Sequence, residues 1–262
     1  MLKAARLTSM FVAVSLTAVG LAACGGGTSD NVVAQVGGTP ITKAELNHWM
    51  TAMAGGDFYE LAAGRTVPLG LVSEPPNYAG CVSRLEAEAR PSKGQIKPTA
   101  AQLLTKCREL YQRIKQQALS FLVDAQWTIG LYAEEGVKAT DGEVKQMLDR
   151  MKAEQFPQEP ALQTYLVGRR RSMADELLYL KINLLSRKML QKVEAGGKPV
   201  LAKLTAGGQR WTAKTTCRAG YVVKHCKQYK GEPSSSTPPA SVLLEQIAVV
   251  TGSSCINRPA CG

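Results

Sequence analysis

The longest helical pattern in the chain is the feature that most constrains its fold. Between Thr99 and Glu135, apolar residues recur at alternating steps of mostly four and three, and Gly136 follows. Such steps place side chains on one face of an α-helix, and a helix of this length spans about 55 Å. The stripe consists of Leu103, Cys107, Leu110, Ile114, Ala118, Phe121, Ala125, Ile129 and Tyr132. The pattern therefore predicts a mainly helical fold.

Three further helices have recognisable starts. Thr-Lys-Ala-Glu at 42–45 and Thr-Asp-Gly-Glu at 140–143 are capping boxes, and Ser-Met-Ala-Asp at 172–175 is a similar cap. An apolar stripe at helical spacing follows each of them. The predicted helix ends are Gly55-Gly56, Phe156-Pro157 and the Gly-Gly-Lys-Pro at 196–199, respectively. A short helix is predicted at 162–168, between the last two.

A small amount of β-structure is expected at both ends of the helical region. Apolar β-formers at 32–41 flank Gly37-Gly38, a pair that allows positive φ at both turn positions, so a hairpin is predicted. Residues 211–229 are compatible with β-structure, and we expect them to pair with this hairpin. Residues 57–98 lack periodicity and predict a long loop with one helical turn near 82–89. A Pro/Ser-rich segment at 231–240 and an apolar strand or short helix at 242–250 follow.

The N-terminus has the character of an export signal. Lys3 and Arg6 precede an uncharged apolar run at 10–23, which is too short to span a membrane. The Leu-Ala-Ala-Cys at its end resembles the bacterial lipobox, in which the cysteine, here Cys24, becomes the lipidated first residue. The alternative is an ordinary signal peptide cut near Ala23. We predict a signal at 1–23, a flexible tether at 24–31, one domain at 32–230 and a tail at 231–262. The location is then extracytoplasmic, with a lipid anchor in the membrane.

The remaining six cysteines are expected to form structural disulfides, as is usual in exported proteins. Six cysteines allow 15 pairings, so the sequence leaves their connectivity open. The simplest closure joins neighbours: Cys81–Cys107, Cys217–Cys226 and Cys255–Cys261. Metal binding by His225 with its neighbouring cysteines is the alternative, but no C-x-x-C occurs and His48 is the only other histidine. We therefore expect no metal site and no cofactor.

A positive excess marks the chain, whose formal net charge is +11. One stretch holds eight cations with no acid between them: Lys198, Lys203, Arg210, Lys214, Arg218, Lys224, Lys227 and Lys230. Positive charge of this kind favours anionic lipid, acidic wall polymer or acidic clients as partners, and it also aids solubility. Nucleic acid is not an expected partner outside the cytoplasm.

Two stretches resemble the N-terminal module of the SurA/PrsA extracytoplasmic chaperones. The first, at 33–50, reads Val-Ala-Gln-Val-Gly-Gly-Thr-Pro-Ile-Thr-Lys-Ala-Glu-Leu-Asn-His-Trp-Met, with Gly37 where the family usually has Asn. The second joins Trp127 and the Glu-Glu-Gly-Val at 134–137 to Thr-Asp-Gly-Glu-Val at 140–144. With the lipobox, the resemblance implies a lipoprotein branch with this helical chaperone fold. It covers residues 32–193 well and 211–229 loosely.

The chain departs from the family in one respect that bears on catalysis. Full members often insert a parvulin-type prolyl isomerase domain, whereas only 17 residues lie between Val193 and Trp211. No prolyl isomerase activity is therefore expected; a degenerate relative with residual activity is a third alternative. The sequence also has no G-x-S-x-G elbow and no phosphate-binding glycine loop. We interpret His48 as a helix-surface or partly packed residue and Glu134-Glu135 as a solvated helix end, so the protein is not expected to be an enzyme.

The resemblance implies a membrane-anchored, ATP-independent chaperone that binds unfolded or nascent exported polypeptides. Methionine and aromatic side chains suit such a surface because they adapt to many shapes. The client-binding candidates are Met50, Met53, Phe58, Met147, Met151, Tyr165 and Leu166. For each residue alone, packing in the core is the competing interpretation, and the prediction applies to the group. The alternative function is a scaffold lipoprotein that docks on wall polymer or anionic lipid through its basic tail.

Overall fold

A computed structural model describes residues 29–61, 75–88, 97–158 and 160–231, which form a mainly helical fold with a small sheet. Its helices are α1 (Lys43–Leu61), α2 (Ala79–Glu88), α3 (Ala100–Glu134), α4 (Asp141–Gln155), α5 (Ala161–Gly168) and α6 (Met173–Ala213). Its strands are β1 (Val32–Val36), β2 (Thr39–Thr42) and β3 (Thr215–Cys217). The predicted lipidation residue Cys24, the cysteines Cys255 and Cys261 and the segment 242–250 lie outside the described residues.

Helix α3 is the element against which α1, α2 and α6 pack, which confirms the long helix predicted from the sequence. It begins at a complete capping box, in which Thr99 and Gln102 bond each other's backbone N–H groups. Its apolar stripe enters a core that also receives Trp49 from α1 and Met189 from α6. Among the described residues, no helix is long and apolar enough to cross a membrane.

The three strands form an antiparallel sheet in the order β2-β1-β3. The predicted hairpin turns at Gly37-Gly38, whose φ angles of +57° and +93° are accessible to glycine without strain. On the other side of β1, Ala34 pairs with Cys217, so the C-terminal segment closes the sheet as the sequence predicts. The strand part of that segment is shorter than expected, because Trp211 belongs to α6 and only 215–217 form β3.

Helix α6 continues past its predicted end. Gly197 has φ +57° and ψ −145°, which breaks the helical backbone into a first segment (173–196) and a second segment (198–213). Pro199 stands in the first turn of the second segment, where its missing N–H costs no helical hydrogen bond. The Gly-Gly-Lys-Pro motif was thus correctly predicted to interrupt the helix, but the chain resumes a helix instead of entering a strand.

The predicted end of α1 at Gly55-Gly56 is wrong, because the helix runs on to Leu61. Glycine inside a helix costs only about 1 kcal/mol relative to alanine, which does not by itself stop a helix that packs along α3. The helical turn predicted near 82–89 is confirmed as α2. Two predicted disulfides are also present: Cys81–Cys107 joins α2 to α3, and Cys217–Cys226 closes the loop after β3.

Candidate functional site

The start of α6 carries a buried carboxylate, that of Asp175, to which residues of α1 and of the preceding turn are hydrogen-bonded. Ser172 and Asp175 form a full capping box at this helix end. From α1, the Nε2 atom of His48 lies 2.9 Å from both carboxylate oxygens of Asp175. Burial acts to raise the pKa of Asp175, but hydrogen bonds from Ser172 and His48 outweigh it and hold that pKa below its usual value. His48 is exposed on α1, in agreement with its interpretation as a helix-surface or partly packed residue, but its pairing with Asp175 was not predicted.

Glu176, next in the chain, faces Arg171 inside the same region. The Oε2 atom of Glu176 lies 3.7 Å from Nη1 of Arg171, and both side chains are largely buried. Burial raises the pKa of the Glu176 carboxyl above its usual value, against the lowering effect of Arg171 and Arg169. Oε2 of Glu176 and Nε of Arg171 have no hydrogen-bond partner among the described residues. These two atoms can therefore still form hydrogen bonds, although the side chains that carry them are largely buried.

An aromatic stack connects this charged group to the core. The guanidinium of Arg171 lies 4.1 Å from the ring centroid of Tyr179, a distance typical of a cation–π contact. The ring of Tyr179 stacks on Phe121 at 4.9 Å, and Trp49 lies 4.5 Å from Phe121. The stack thus fixes α1, α3 and the start of α6 against one another, which makes the region rigid.

Beside it, α4 and α5 present an apolar surface that is only partly covered. Met147, Met151, Phe156 and Tyr165 are half-buried, and Val167 is 72% exposed. We call these five residues the α4–α5 surface. The rings of Phe156 and Tyr165 lie 4.9 Å apart. The aromatic pair and the thioether groups of α4 are therefore partly exposed, and an apolar chain segment can cover them.

Cationic groups lie at the edge of the α4–α5 surface. The guanidinium of Arg169 lies 4.9 Å from the ring centroid of Tyr165, and Nη2 of Arg187 lies 3.1 Å from the sulfur of Met147. Guanidinium groups pair readily with backbone carbonyls and carboxylates, so the surface offers polar anchoring beside its apolar part.

The predicted client-binding residues divide between this surface and the core. Met147, Met151 and Tyr165 lie on the α4–α5 surface, whereas Met50 and Leu166 are 0% and 1% exposed. Both of these therefore pack inside the protein and offer a client no surface in this conformation. Met53 is half-buried against the main core, and Phe58 lies in the last part of α1.

Two residues of the α4–α5 surface were missed by the sequence prediction. Phe156 was interpreted only as part of a helix break, and Val167 was passed over in a short helix. No signal in the sequence was available for Val167, because the burial of its neighbour Leu166 is known only from the structure.

A separate groove of about 240 Å³ lies between α3 and the loop closed by Cys217–Cys226. Its lining residues are Gln112, Lys115, Gln116, Leu119, Gly220, Tyr221, Val222 and Val223. The ammonium of Lys115 donates to the carbonyl of Gly220 at 3.0 Å and faces the ring of Tyr221 at 5.1 Å. Burial lowers the pKa of Lys115. Because these contacts bind the loop to α3, we interpret the groove as a structural feature of the fold and not as a ligand-binding site.

The alternative metal site at His225 and its cysteines is not formed. Cys217 and Cys226 are joined in a disulfide, and Nδ1 of His225 lies 2.6 Å from Oδ1 of Asp124. The imidazole stacks on Trp127 at 4.4 Å between ring centroids. In the part of the chain that the structure describes, no group of three or more potential metal ligands occurs. His225 therefore holds the disulfide-closed loop against α3.

Comparisons with protein-family models, with curated proteins and with solved structures found no significant match. The likeness to the SurA/PrsA module therefore rests on the sequence motifs at 33–50 and 127–144.

Proposed function

We propose that the protein is an ATP-independent chaperone that holds unfolded exported polypeptides on its α4–α5 surface. The observation that carries the proposal is the set of half-buried methionine and aromatic side chains on α4 and α5, in which the rings of Phe156 and Tyr165 lie 4.9 Å apart. A bound segment that covers apolar area gains about 25 cal/mol per Å². Thioether and aromatic groups accept many client sequences because they repack at low cost.

The rigid region next to this surface supports the proposal. The aromatic stack and the Asp175 cap fix the start of α6, from which Arg169 and Arg171 extend toward Tyr165 and Tyr179. The guanidinium of Arg169, which lies on the ring of Tyr165, can therefore meet a client together with a soft apolar surface, and its fixed position lowers the entropic cost of binding. Anchoring at Cys24 would place this surface at the membrane where exported chains emerge.

A light-scattering assay tests the holding function. The protein lacking residues 1–24, which retains every described residue, is added without ATP to an unfolded, aggregation-prone substrate. We expect suppression near a stoichiometric ratio. In the Met151→Gln/Val167→Gln variant, the concentration needed for half suppression should rise about fivefold or more, since each side chain loses on the order of 1 kcal/mol of apolar contact.

Tyr229→Gln is the matched control, because Tyr229 is the other large apolar side chain found exposed among the described residues, at 42%. It lies far along the chain from α4 and α5, so suppression should stay at the level of the unmodified protein. If the folded protein does not suppress aggregation at all, the scaffold-lipoprotein function becomes the better explanation. Equal weakening by both variants would remove the α4–α5 surface from the proposal.

A further inference from the structure

The segment 214–231, which we call the basic segment, concentrates positive charge on a small closed loop. It contains Lys214, Arg218, Lys224, Lys227 and Lys230 and no acidic residue. All five cations are exposed. Strand β3, the Cys217–Cys226 disulfide and tight turns at 218–221 and 226–229 hold its backbone. The backbone that carries these five charges is therefore held in place.

Three of these cations have no acidic partner among the residues that the structure describes. Lys214 lies 3.8 Å from Glu134, and Arg218 lies 3.2 Å from Asp30. By contrast, Lys224, Lys227 and Lys230 form no ion pair with any residue that the structure describes. Their charge is available to an anionic partner outside the domain.

An exposed aromatic residue accompanies the unpaired lysines. Tyr229 stands between Lys227 and Lys230 and is 42% exposed, in a chain whose described part exposes few large apolar side chains. Tyrosine combines an apolar ring with a polar hydroxyl, and it is enriched at the level of lipid headgroups. Lysines with an interleaved tyrosine therefore match the chemistry of an anionic bilayer surface better than that of a purely aqueous polyanion.

The basic segment also lies beside the point where the described chain begins. Arg218 donates from Nη1 to the carbonyl of Asp30 at 2.8 Å, and its backbone N–H donates to Val33 at 2.9 Å. Cys24 precedes Asp30 by six residues, a length that reaches at most about 20 Å. A lipid on Cys24 would therefore keep the basic segment close to the bilayer.

From these observations we infer that the basic segment binds anionic phospholipid headgroups and orients the domain on the membrane. The inference rests on the proposed lipid tether for its cellular setting. Beside a lipid anchor, a polybasic surface adds electrostatic attraction to anionic lipids and thereby fixes which face of the domain meets the bilayer. The basic segment and the α4–α5 surface are then separate sites, one for the bilayer and one for clients.

Vesicle sedimentation tests this inference directly. The chain lacking residues 1–23 and carrying Cys24→Ser is mixed with phosphatidylcholine vesicles with or without phosphatidylglycerol, at low and high salt. We expect binding only to the anionic vesicles, with a loss at high salt because exposed charges are screened. The Lys224→Gln/Lys227→Gln/Lys230→Gln variant should bind on the order of 100-fold more weakly, about fivefold per lysine.

The matched control is Lys106→Gln/Lys138→Gln/Lys203→Gln, which removes the same charge from three exposed positions elsewhere. It should retain binding to within a fewfold. Equal loss in both triple variants, or no binding to anionic vesicles at low salt, would overturn the inference. Capture by an immobilised glycerol-phosphate polymer without vesicle binding would overturn it in favour of a wall partner. The same variants are also assayed for suppression of aggregation. A failure of lipid binding can then be distinguished from a failure of the chaperone proposal.

Discussion

Trp211 shows how much one side chain organises in this protein. Its ring lies against Gly37 in the hairpin turn and against Gly130 in α3, where a Cβ atom would stand 3.0 Å and 1.9 Å from it, respectively. Its Nε1 atom donates to Glu134 at 3.1 Å. Glu134 also pairs with Arg210 at 3.2 Å. Trp211 therefore locks the second segment of α6 to α3 and to the sheet.

Gly130→Ala should destabilise the protein despite the better helix propensity of alanine. The new methyl group would overlap the Trp211 ring, and overpacking of this kind costs about 1–3 kcal/mol, more than the gain of about 1 kcal/mol from replacing a helical glycine. Chemical denaturation monitored by tryptophan fluorescence measures the free energy of unfolding. We expect a net loss of up to about 2 kcal/mol.

Gly208→Ala provides the control, since it lies in the same pair of packed helices. Its Cβ would stand 3.8 Å from the Trp127 ring, which is an ordinary contact. Unchanged or increased stability is expected there. If Gly130→Ala were equally benign, the Trp211 packing would be looser than the structure indicates.

At the scale of elements, the helix starts are the best-defined features. The boxes at Thr140 and Ser172 are complete, and in α1 the N–H of Glu45 donates to Thr42. The box of α4 also makes a tertiary contact, because Glu143 lies 2.5 Å from the ammonium of Lys188 in α6. This pair, together with hydrogen bonds from Thr140, lowers the pKa of Glu143 to about 2.

The pH dependence of this contact has a definite sign. A carboxyl whose pKa is lower in the folded state than in the unfolded state stabilises the fold above the unfolded pKa. That stability is lost as pH falls toward the folded pKa. Here the window extends from about 4.5, the ordinary value, down to about 2. The pair is partly exposed, so its contribution is reduced by solvent screening.

Glu143→Gln tests the contact without removing the cap, because glutamine also completes a capping box. We expect the variant to have a lower melting temperature than the unmodified protein at pH 6. The difference should shrink as pH falls from about 4.5 toward 2. Glu154→Gln, at an exposed position of the same helix, should show no such convergence. A constant difference at every pH would assign the effect of Glu143 to packing instead of charge.

At the scale of the whole molecule, the proposed tether would decide where the fold acts. The described residues contain no helix that is both long and apolar enough to cross a bilayer, and the proposed covalent lipid attachment depends on Cys24. In cells supplied with a labelled fatty acid, the chain should become labelled and sediment with membranes. Cys24→Ser should abolish the label, while the basic segment leaves a membrane association that salt removes. Labelling that survives this substitution would exclude the proposed anchor.

The region between Val193 and Trp211 bears on the isomerase alternative. Within the described residues, α6 fills this interval as a helix interrupted only at Gly197. We still expect no prolyl isomerase activity, and acceleration of proline cis–trans exchange by the purified protein would contradict that expectation.

The candidate site could be predicted only in part. Three of its methionine and aromatic residues were named from the sequence, but Met50 and Leu166 were indistinguishable from them until their burial was known. Helical spacing identifies an apolar face, yet the neighbouring element decides whether that face is covered. The pairing of His48 with Asp175 spans 127 positions, a separation that no local pattern reports.

The sequence by itself determined the features whose physics is local. Caps, the glycine turn of the hairpin and the periodicity of α3 involve neighbouring residues. The sequence left the cysteine pairing open, and the structure shows Cys81–Cys107 and Cys217–Cys226. The tertiary structure alone decided that α1 passes through two glycines, that Trp211 is helical and that Arg218 lies beside Asp30. These outcomes depend on packing energies between distant segments, which outweigh local preferences of about 1 kcal/mol.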